Sequence, residues 1–438
     1  MKRYKAALVI VFLFLLLAVV IFLKASNYSE PSLPQASAES FGFRITWADY
    51  SGRGETIYRI VDAFSKSTSG VSVDLIGGDE DMQKIRELLL NEKSIHVYAL
   101  PYRLVMYFAE KGLLEPLDSG FADEMKFFRP NMLKLGSVEG SVYGIPWVGH
   151  SIALIYNKDL LSRAGVNPDK IDSLESFVRA LDAVGSKTGA FGIGLVGANH
   201  NDVSWMVNQF IYGFGSGLVS EDGREILINN PKSKAALLFY RDTLGKYAQP
   251  TWPDDTGVEV MRYFREGKLA FEFQGLWGLT DIEKNGSPFA TGIITLDRIG
   301  LNPEVGPIML AVPKGLSDAA REAAYTFIRY MISEPAQEMV MHGEYSPEHD
   351  AYYPFRLPAR KDISESIVAL KYPQYLPFLS GYENPSIDVP SPAWQSVKED
   401  VYAPSLHSFM AGAITADELL AKVEDEARII MQSRDSNK

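Results

Sequence analysis

The chain has 438 residues, 46% of them hydrophobic and 22% charged, which is enough for two or three ordinary domains with real cores. Its formal net charge of −12 argues against nucleic acid as a partner, because phosphates need lysine and arginine to neutralise them. The sequence contains no cysteine, which excludes disulfides, thiol nucleophiles and cysteine-ligated metals.

The N-terminus carries the pattern of an export signal. Lys2, Arg3 and Lys5 precede an unbroken apolar run over residues 6–23. This order is typical of a signal peptide, although the run is as long as a short membrane-spanning helix. We therefore expect residues 1–26 to be a signal, either cleaved or retained as a membrane anchor. The rest of the chain is then extracytoplasmic, in the periplasm or on the outer face of the cell membrane.

A polar linker and an alternation of strand and helix patterns follow. Residues 27–40 are rich in serine, alanine and proline, as linkers are. Alternating strands and helices are typical of a parallel sheet with helices on both faces, so we expect an α/β fold. The strand candidates are 43–47, 71–76 and 95–100, and the helix candidates are 55–65, 82–90 and 104–111.

Residues 140–161 predict a buried strand between a turn and a helix. Glycine and proline punctuate the start of this stretch, and the run 151–156 is apolar and short. Asn157 or Asp159 can cap the helix that follows, because their side-chain oxygens accept from free backbone N–H groups.

The rest of the chain predicts more helix than strand. We expect a turn at 274–278 and a tyrosine- and proline-rich loop at 343–358. The helix candidates are 174–184, 203–214, 231–247, 257–266, 318–332 and 416–432, and the strand candidates are 191–196, 267–273, 291–295 and 308–312.

Several short motifs follow one another along the chain. They are Tyr143-Gly144-Ile145-Pro146 followed by residues 154–161 (LIYNKDLL), residues 108–117, residues 264–271 running into Gly275-Leu276-Trp277, Pro313-Lys314-Gly315, and residues 330–337. In this order and spacing they resemble the motifs of extracytoplasmic solute-binding proteins of ABC importers, the group that includes maltose- and other sugar-binding proteins. The resemblance extends from residue 43 to the C-terminus. One departure is Ile95-His96-Val97, where the family often carries Pro-Asp-Val.

The resemblance implies an α/β, periplasmic-binding-protein-like fold with two α/β lobes, a hinge and an interlobe ligand cleft. Open parallel sheets bind ligands beyond the carboxyl ends of their strands, and two such edges can close on a ligand by hinge motion. The first lobe is then expected to comprise residues 41–149 and 291–334, and the second residues 150–290 and 335–438. The first crossing between the lobes falls within residues 140–161.

The resemblance also implies a function. The protein is expected to capture a carbohydrate, either a mono- or an oligosaccharide, and to deliver it to an ABC importer when the cleft closes. Its partners would be that small solute and the permease subunits, and it would act as a monomer. A secreted hydrolase that acts on glycans and a receptor of the same fold for a non-sugar solute are the alternatives.

A sugar site needs flat aromatic walls and planar polar groups, because a sugar has an apolar ring face and a belt of hydroxyls. By resemblance, Trp277 and Trp394 are expected to stack on the ligand, with core packing as the alternative. His150 is expected either in the cleft or as a hydrogen-bonded hinge residue, and Asp202 either as a hydroxyl ligand or as a helix cap. The other candidates follow strands, flank the crossing, open a helix or lie in the late loop: Trp47, Asp49, Tyr50, Tyr102, Trp147, Trp205, Tyr353 and Arg356.

Two further groups of residues fit catalysis or metal binding poorly. The acidic residues at 79–81 and 254–255 are neighbours in sequence, and such side chains rarely face one substrate. Residues 342–350 hold two histidines and three acidic side chains, but their spacing matches no ligand pattern. We therefore expect no catalytic residue, no metal and no cofactor.

Overall fold

The computed structural model describes residues 39–45, 55–68, 71–220, 223, 225–285, 289–354 and 356–435. The predicted signal or anchor at 1–26 lies outside the described residues, as do most of the linker and the site candidates Trp47, Asp49 and Tyr50. Within the described ranges, no helix combines the length and the apolar character that crossing a bilayer requires.

Up to residue 110, strands and helices alternate in the predicted order, and two more helices and four strands follow up to residue 157. The elements are β1 (Glu39–Ile45), α1 (Glu55–Ser67), β2 (Val71–Gly77), α2 (Met82–Asn91), β3 (Ile95–Pro101), α3 (Tyr102–Glu110), α4 (Asp118–Met125), α5 (Pro130–Leu135), β4 (Ser137–Val138), β5 (Ser141–Val142), β6 (Ile145–Gly149) and β7 (Ala153–Asn157). The buried strand predicted within residues 140–161 is confirmed as β7, all of whose residues are buried.

The next part of the chain is mainly helical. Its elements are α6 (Lys158–Ala164), α7 (Leu174–Thr188), β8 (Phe191–Gly194), α8 (Asn201–Gly213), α9 (Pro231–Leu238), α10 (Gly257–Arg265), β9 (Leu269–Gln274), α11 (Leu276–Lys284) and β10 (Thr291–Ile294). The long helix predicted for 231–247 changes its hydrogen bonding along its length, with a π-helical turn at Phe239–Thr243 and a 3-10 turn at Leu244–Tyr247. The turn predicted at 274–278 is wrong, because Gly275 is the N-cap of α11 and Trp277 lies in the first helical turn.

The last part ends in packed helices. Its elements are β11 (Ile308–Ala311), α12 (Asp318–Met331), α13 (Glu334–His342), β12 (Glu344–Ser346), β13 (Ala351–Tyr353), β14 (Leu357–Pro358), α14 (Lys361–Ile363), α15 (Ala369–Lys371), α16 (Pro392–Val397), α17 (Ala403–Met410) and α18 (Ala416–Asp435). Helical turns also occupy Ser364–Val368, Pro373–Tyr382 and Lys398–Tyr402. The loop predicted at 343–358 is wrong in part, since β12 and β13 pair as an antiparallel hairpin within it.

Two mixed sheets organise the fold. The larger has the order β14–β6–β11–β3–β1–β2, and the smaller has the order β10–β7–β9–β8. The predicted parallel pairing is confirmed for β1 with β2 and β3 and for β8 with β9, whereas β11, β14, β7 and β10 pair antiparallel. Strand β11 begins at the edge of the larger sheet where the chain arrives from the smaller sheet. Because β3 and β6 end at that same edge, β11 runs antiparallel to them.

The chain crosses between the sheets twice by short routes, from β6 to β7 and from β10 to β11. Strand β10 pairs with β7 in the smaller sheet, although residues 291–334 were expected in the first lobe. Strand β14 pairs with β6 in the larger sheet, although residues 335–438 were expected in the second lobe. These differences arise because the lobes exchange strands at the crossings, and hydrophobic periodicity carries no information about which sheet a strand joins.

The entry into α6 shows how local sequence sets the crossing. The Asn157 side chain accepts hydrogen bonds from the backbone amides of Asp159 and Leu160, at 2.9 Å and 3.0 Å. The prediction that Asn157 caps this helix is therefore confirmed, and Asp159 adds a negative charge to the first turn. The cap ends β7 at a defined residue and turns the chain away from the crossing.

Candidate functional site

Four side chains that come from distant parts of the sequence meet beside the crossings. His150 directly follows β6, and Glu304 lies on the second crossing before β11. Trp277 lies in the first turn of α11 just after β9, and Arg356 lies between β13 and β14. We call these four residues the hinge cluster. Both sheets contribute to it at strand ends, where open α/β sheets bind ligands.

The contacts within the hinge cluster are direct. His150 Nε2 lies 3.2 Å from Glu304 Oε2. The ring centroids of His150 and Trp277 are 4.7 Å apart, and the two ring planes are 85° from parallel. The Arg356 guanidinium carbon lies 4.4 Å from the centroid of the Trp277 ring. His150 and Glu304 are only 9% and 7% exposed, whereas Trp277 and Arg356 are half-buried.

Burial sets the protonation of the histidine. Burial lowers the pKa of His150, and the charge of Arg356 lowers it further. The hydrogen bond to Glu304 and the charge of Glu304 raise the pKa, but by less than burial and Arg356 together lower it. The imidazole is therefore neutral near pH 7 and donates its Nε2–H to Glu304. Its Nδ1 is then an acceptor, and it has no hydrogen-bond partner among the described residues. The hinge cluster thus combines an aromatic ring, a cationic donor and oxygen and nitrogen acceptors.

Tyr382 borders the same region, and no signal in the sequence had marked it. A Cβ added at Gly149, the last residue of β6, would lie 2.5 Å from the Tyr382 hydroxyl, so only glycine leaves room for it. Burial raises the pKa of Tyr382, so the hydroxyl stays protonated. Within the described part of the chain this buried hydroxyl has no hydrogen-bond partner.

Asp202 and Trp205 belong to a different network at the start of α8. The N-cap of α8 is His200, so the expectation that Asp202 caps this helix is wrong. Asp202 instead accepts from Gly257 N, the first residue of α10, at 2.9 Å and from Trp205 Nε1 at 3.3 Å, and it lies 3.2 Å from His200 Nδ1. Although burial acts to raise it, the pKa of Asp202 is lowered by these partners. Its carboxylate therefore joins two helices.

Three other aromatic candidates are buried. Tyr102 is 2% exposed, and its hydroxyl accepts from Val389 N at 3.0 Å. Trp147 lies in β6, a central strand buried along its length, and its ring meets Phe43 at 77°. Trp394 lies in α16, which packs against α3 and α18, and its ring meets Tyr402 at 62°. The structure therefore places Trp147 and Trp394 in the core, because both side chains are fully buried.

The last candidate, Tyr353, lies in the β12–β13 hairpin. It is half-buried, pairs with Glu344 across the hairpin, and meets the ring of His349 at 81°. The hairpin region connects α1 to α11. Glu344 accepts from Thr56 N in α1, and Thr280 in α11 donates to Pro354 O. Of the late-loop candidates, Arg356 joins the hinge cluster and Tyr353 belongs to this connection.

A groove of about 420 Å³ lies at the carboxyl end of β2. Tyr107, Met82 and Arg86 line it together with Glu80 and with Glu399 from the C-terminal helical region. Glu80 also forms an ion pair with Arg103, which follows β3. Burial raises the pKa of Glu399. Glu80 was considered only as part of the acidic run 79–81, and the other groove residues were not predicted because each one alone is typical of a solvated surface.

The acidic residues considered for catalysis form local structural bonds. Asp79 lies 3.2 Å from Lys84 Nζ, and Asp81 accepts from Lys84 N at 2.9 Å as the N-cap of α2. Asp255 accepts from Gln249 Nε2 at 3.0 Å and from Thr251 Oγ1 at 2.6 Å. Among the residues that the structure describes, no three or more histidine or acidic side chains are grouped in a way that could hold a metal ion.

Comparison with known proteins gives relatives at low identity. A probable ABC transporter-binding protein of Deinococcus radiodurans is 26% identical over 237 residues, which is 52% of this chain and 56% of that protein. The maltotriose-binding protein of Pyrococcus abyssi is 22% identical over 242 residues, which is 52% of this chain and 48% of that protein. The chain thus spans about half the length of the curated relatives it matches.

A solved structure extends the likeness to the whole fold. Maltose-bound MalE3 of T. maritima has a TM-score of 0.77 at 18% identity, over 89% of this chain and 99% of that one. The fold is therefore that of periplasmic sugar-binding proteins, with two α/β lobes around a cleft. Residues 59–366 match the family model described as bacterial extracellular solute-binding protein. Since that match covers well over half of the sequence, the chain belongs to the family of bacterial extracellular solute-binding proteins.

Proposed function

We propose that this protein captures a carbohydrate, either a mono- or an oligosaccharide, in the cleft between its lobes and delivers it to an ABC importer. The observation that carries the proposal is the hinge cluster. Its half-buried Trp277 ring suits the apolar face of a sugar, and Arg356 and His150 beside it suit the hydroxyls. A ligand that contacts both lobes favours their closed arrangement, and closure is the signal that a permease can recognise.

The names of the relatives support this proposal. One is a maltotriose-binding protein, one is an ABC transporter-binding protein, and the structural neighbour holds maltose. These names describe binding proteins rather than enzymes, which favours capture without turnover. The family description and the N-terminal signal pattern support an extracytoplasmic location. Residues 1–26 as an export signal, either cleaved or retained as a membrane anchor, and action as a monomer are parts of the same proposal.

A thermal-shift screen of the full-length protein tests the proposal. The panel contains mono- and oligosaccharides, polyols, amino acids and phosphate compounds. A sugar at a hundredfold its dissociation constant should add about 2.7 kcal/mol to the free energy of unfolding, because it binds only the folded state. Stabilisation by at least one sugar is expected.

Two outcomes would contradict the proposal. Stabilisation by an amino acid or a phosphate compound, with none by any sugar, would indicate a receptor for a non-sugar solute. Release of shorter glycans from an oligosaccharide during incubation, measured by chromatography, would indicate a hydrolase.

A further inference from the structure

The ring of Trp277 is supported by side chains from outside its own helix. The edge-to-face contact with His150 and the guanidinium of Arg356 both come from segments that adjoin β6 and β14 in the other sheet. A ring held in this way keeps its orientation only while its neighbours keep theirs. The orientation of His150 is therefore part of the binding geometry at Trp277.

Glu304 is the hydrogen-bonded neighbour of His150. Its carboxylate is the hydrogen-bond partner of His150 Nε2 and is itself almost fully buried. The His150 ring also lies directly against the backbone, since a Cβ added at Gly306 would lie 2.7 Å from the His150 Cε1 atom. The imidazole is thus enclosed on one side by Gly306 and anchored through one nitrogen by Glu304.

The backbone of Glu304 is fixed by three separate segments. Its carbonyl oxygen accepts from Ile152 N at 3.0 Å, and its amide donates to Gln209 Oε1 at 3.4 Å. It also forms a parallel bridge with Ser386. These bonds connect Glu304 to the first crossing, to α8 and to the segment that leads to α16. Its backbone therefore has a defined position relative to both lobes.

We propose that Glu304 is a positioning residue of the binding site, which orients His150 and through it the ring of Trp277. This inference rests on the proposed function, in which Trp277 contacts the ligand. Glu304 accepts the Nε2–H of His150 and thereby fixes the tautomer and the ring plane. Sequence patterns did not indicate Glu304, because its partner His150 is 154 positions away. Its neighbours in sequence, Pro303 and Gly306, indicate only a turn.

The test uses Glu304→Ala, Glu304→Gln and a matched control, Glu124→Ala. The control removes a carboxylate on α4 that accepts from Arg329 Nε at 2.9 Å, outside the hinge cluster. The protein is labelled with 5-fluorotryptophan, and the fluorine resonance of Trp277 is identified by its loss in Trp277→Phe. This readout needs no ligand. The dissociation constant for the sugar found in the screen is then measured by calorimetry.

We expect Glu304→Ala to shift the Trp277 resonance and to weaken sugar binding about tenfold, the size expected for one lost hydrogen bond to a charged group. Glu304→Gln should restore both, because its amide oxygen can accept the same proton from a neutral imidazole. Glu124→Ala should change neither. A folded Glu304→Ala protein with an unchanged Trp277 resonance and unchanged affinity would overturn the positioning role, whichever sugar binds.

The two proposals fail in different ways. If no sugar binds the unmodified protein, the proposed function fails, while the Trp277 resonance still decides whether Glu304 positions the ring. If a sugar binds and Glu304→Gln behaves like Glu304→Ala in both measurements, the hydrogen-bond account of positioning is wrong although the binding function stands.

Discussion

At the scale of single residues, the position of Trp277 depends on two glycines. A Cβ added at Gly275 would overlap the Trp277 ring carbon Cζ3, so the indole lies directly over the start of its own helix. A Cβ at Gly278 would lie 2.7 Å from the Gln274 Cβ, so the helix also approaches the end of β9 closely. Both glycines therefore provide space for packing. Neither glycine has a positive φ, so neither position requires glycine for its backbone conformation.

Replacing Gly275 with alanine should displace the Trp277 ring without removing it. The added methyl group occupies the space of the indole, so the ring must rotate away from His150 and Arg356. We expect sugar affinity to fall roughly tenfold, the effect of an aromatic ring that no longer meets the ligand. Calorimetry measures the affinity, and circular dichroism checks that α11 still forms. Unchanged affinity would contradict the proposed stacking of the ligand on this ring.

Replacing Trp277 and Trp394 with alanine, one at a time, separates ligand binding from core packing. Trp277 is half-buried in the hinge cluster, so under the proposed function its removal should weaken binding by about 2 kcal/mol or more with little change in stability. Trp394 is fully buried, so its removal should lower the free energy of unfolding by about 3–5 kcal/mol. Urea unfolding and calorimetry on both variants measure the two effects. Binding that survives in Trp277→Ala rules out its stacking role.

Glu272 should make stability depend on pH. It lies fully buried in β9, and neither carboxylate oxygen has a hydrogen-bond partner among the described residues. Burial raises the pKa of Glu272 well above its ordinary value of 4.5, and the nearby Asp281 raises it further against the effect of Arg265. The folded state therefore holds a proton that the unfolded state releases. The stability that this bound proton contributes is fully present below pH 4.5, the ordinary pKa of a glutamate in the unfolded state. It is lost as the pH rises towards the pKa of Glu272 in the folded state.

The variant Glu272→Gln removes this dependence, because the amide does not ionise. Between about pH 5 and pH 8, the free energy of unfolding of the variant should rise relative to that of the unmodified protein, by at most about 1.4 kcal/mol per pH unit. Urea unfolding at four pH values gives the difference. A constant difference across that range would mean that Glu272 does not hold its proton in the folded state.

At the scale of secondary-structure elements, Asp202 connects α8 to α10. Its carboxylate binds the first amide of α10 while it also holds Trp205 and His200 near the start of α8. A carboxylate at a helix N-terminus satisfies a free N–H group and interacts favourably with the helix dipole. Both helices also pack on β9, α10 directly and α8 through the ring of Phe210 against Phe273, so the connection stabilises one wall of the second lobe.

We expect Asp202→Ala to lower the free energy of unfolding by about 1–3 kcal/mol, since it leaves a buried backbone amide and an indole N–H without their acceptor. Asp202→Asn should cost less stability, because its amide oxygen can still accept from Gly257 N. Thermal unfolding and sugar affinity are measured for both variants. A large drop in affinity with unchanged stability would instead indicate that Asp202 binds the ligand.

The elements also show what the sequence could and could not predict. Caps are local, so Asn157 was found from its neighbours and makes the expected bonds. The glycines around Trp277 were taken for a turn because composition does not distinguish flexibility from a need for space. His150, Trp277 and Arg356 were each predicted as a site residue from its own sequence context. Glu304 was not predicted, because it acts only through His150, which is distant in the sequence. The burial of Trp394 depends on helices that pack against it from two other parts of the chain.

At the scale of the whole molecule, the lobes are linked by more than the crossings. Asp388 and Val389 precede α16, and Asp388 accepts from Asn208 of α8 at 2.9 Å and pairs with the buried Lys398. The next residue, Val389, donates its amide to Tyr102, which directly follows β3 of the larger sheet. One short segment therefore bonds to both halves of the fold. Such a link favours the closed arrangement of the lobes if its bonds to the two halves are made together only there.

Replacing Tyr102 with phenylalanine should shift the protein towards its open form. The change removes the acceptor of the Val389 amide and keeps the ring, which is 2% exposed and packed. A hydrogen bond is worth about 1 kcal/mol, so sugar affinity should fall about fivefold if the bond is made only in the closed form. Small-angle scattering should show a larger radius of gyration for the variant at a subsaturating sugar concentration, and the same radius as the unmodified protein at saturation. A variant with lower stability but the same affinity would show that the bond persists in both forms and does not take part in closure.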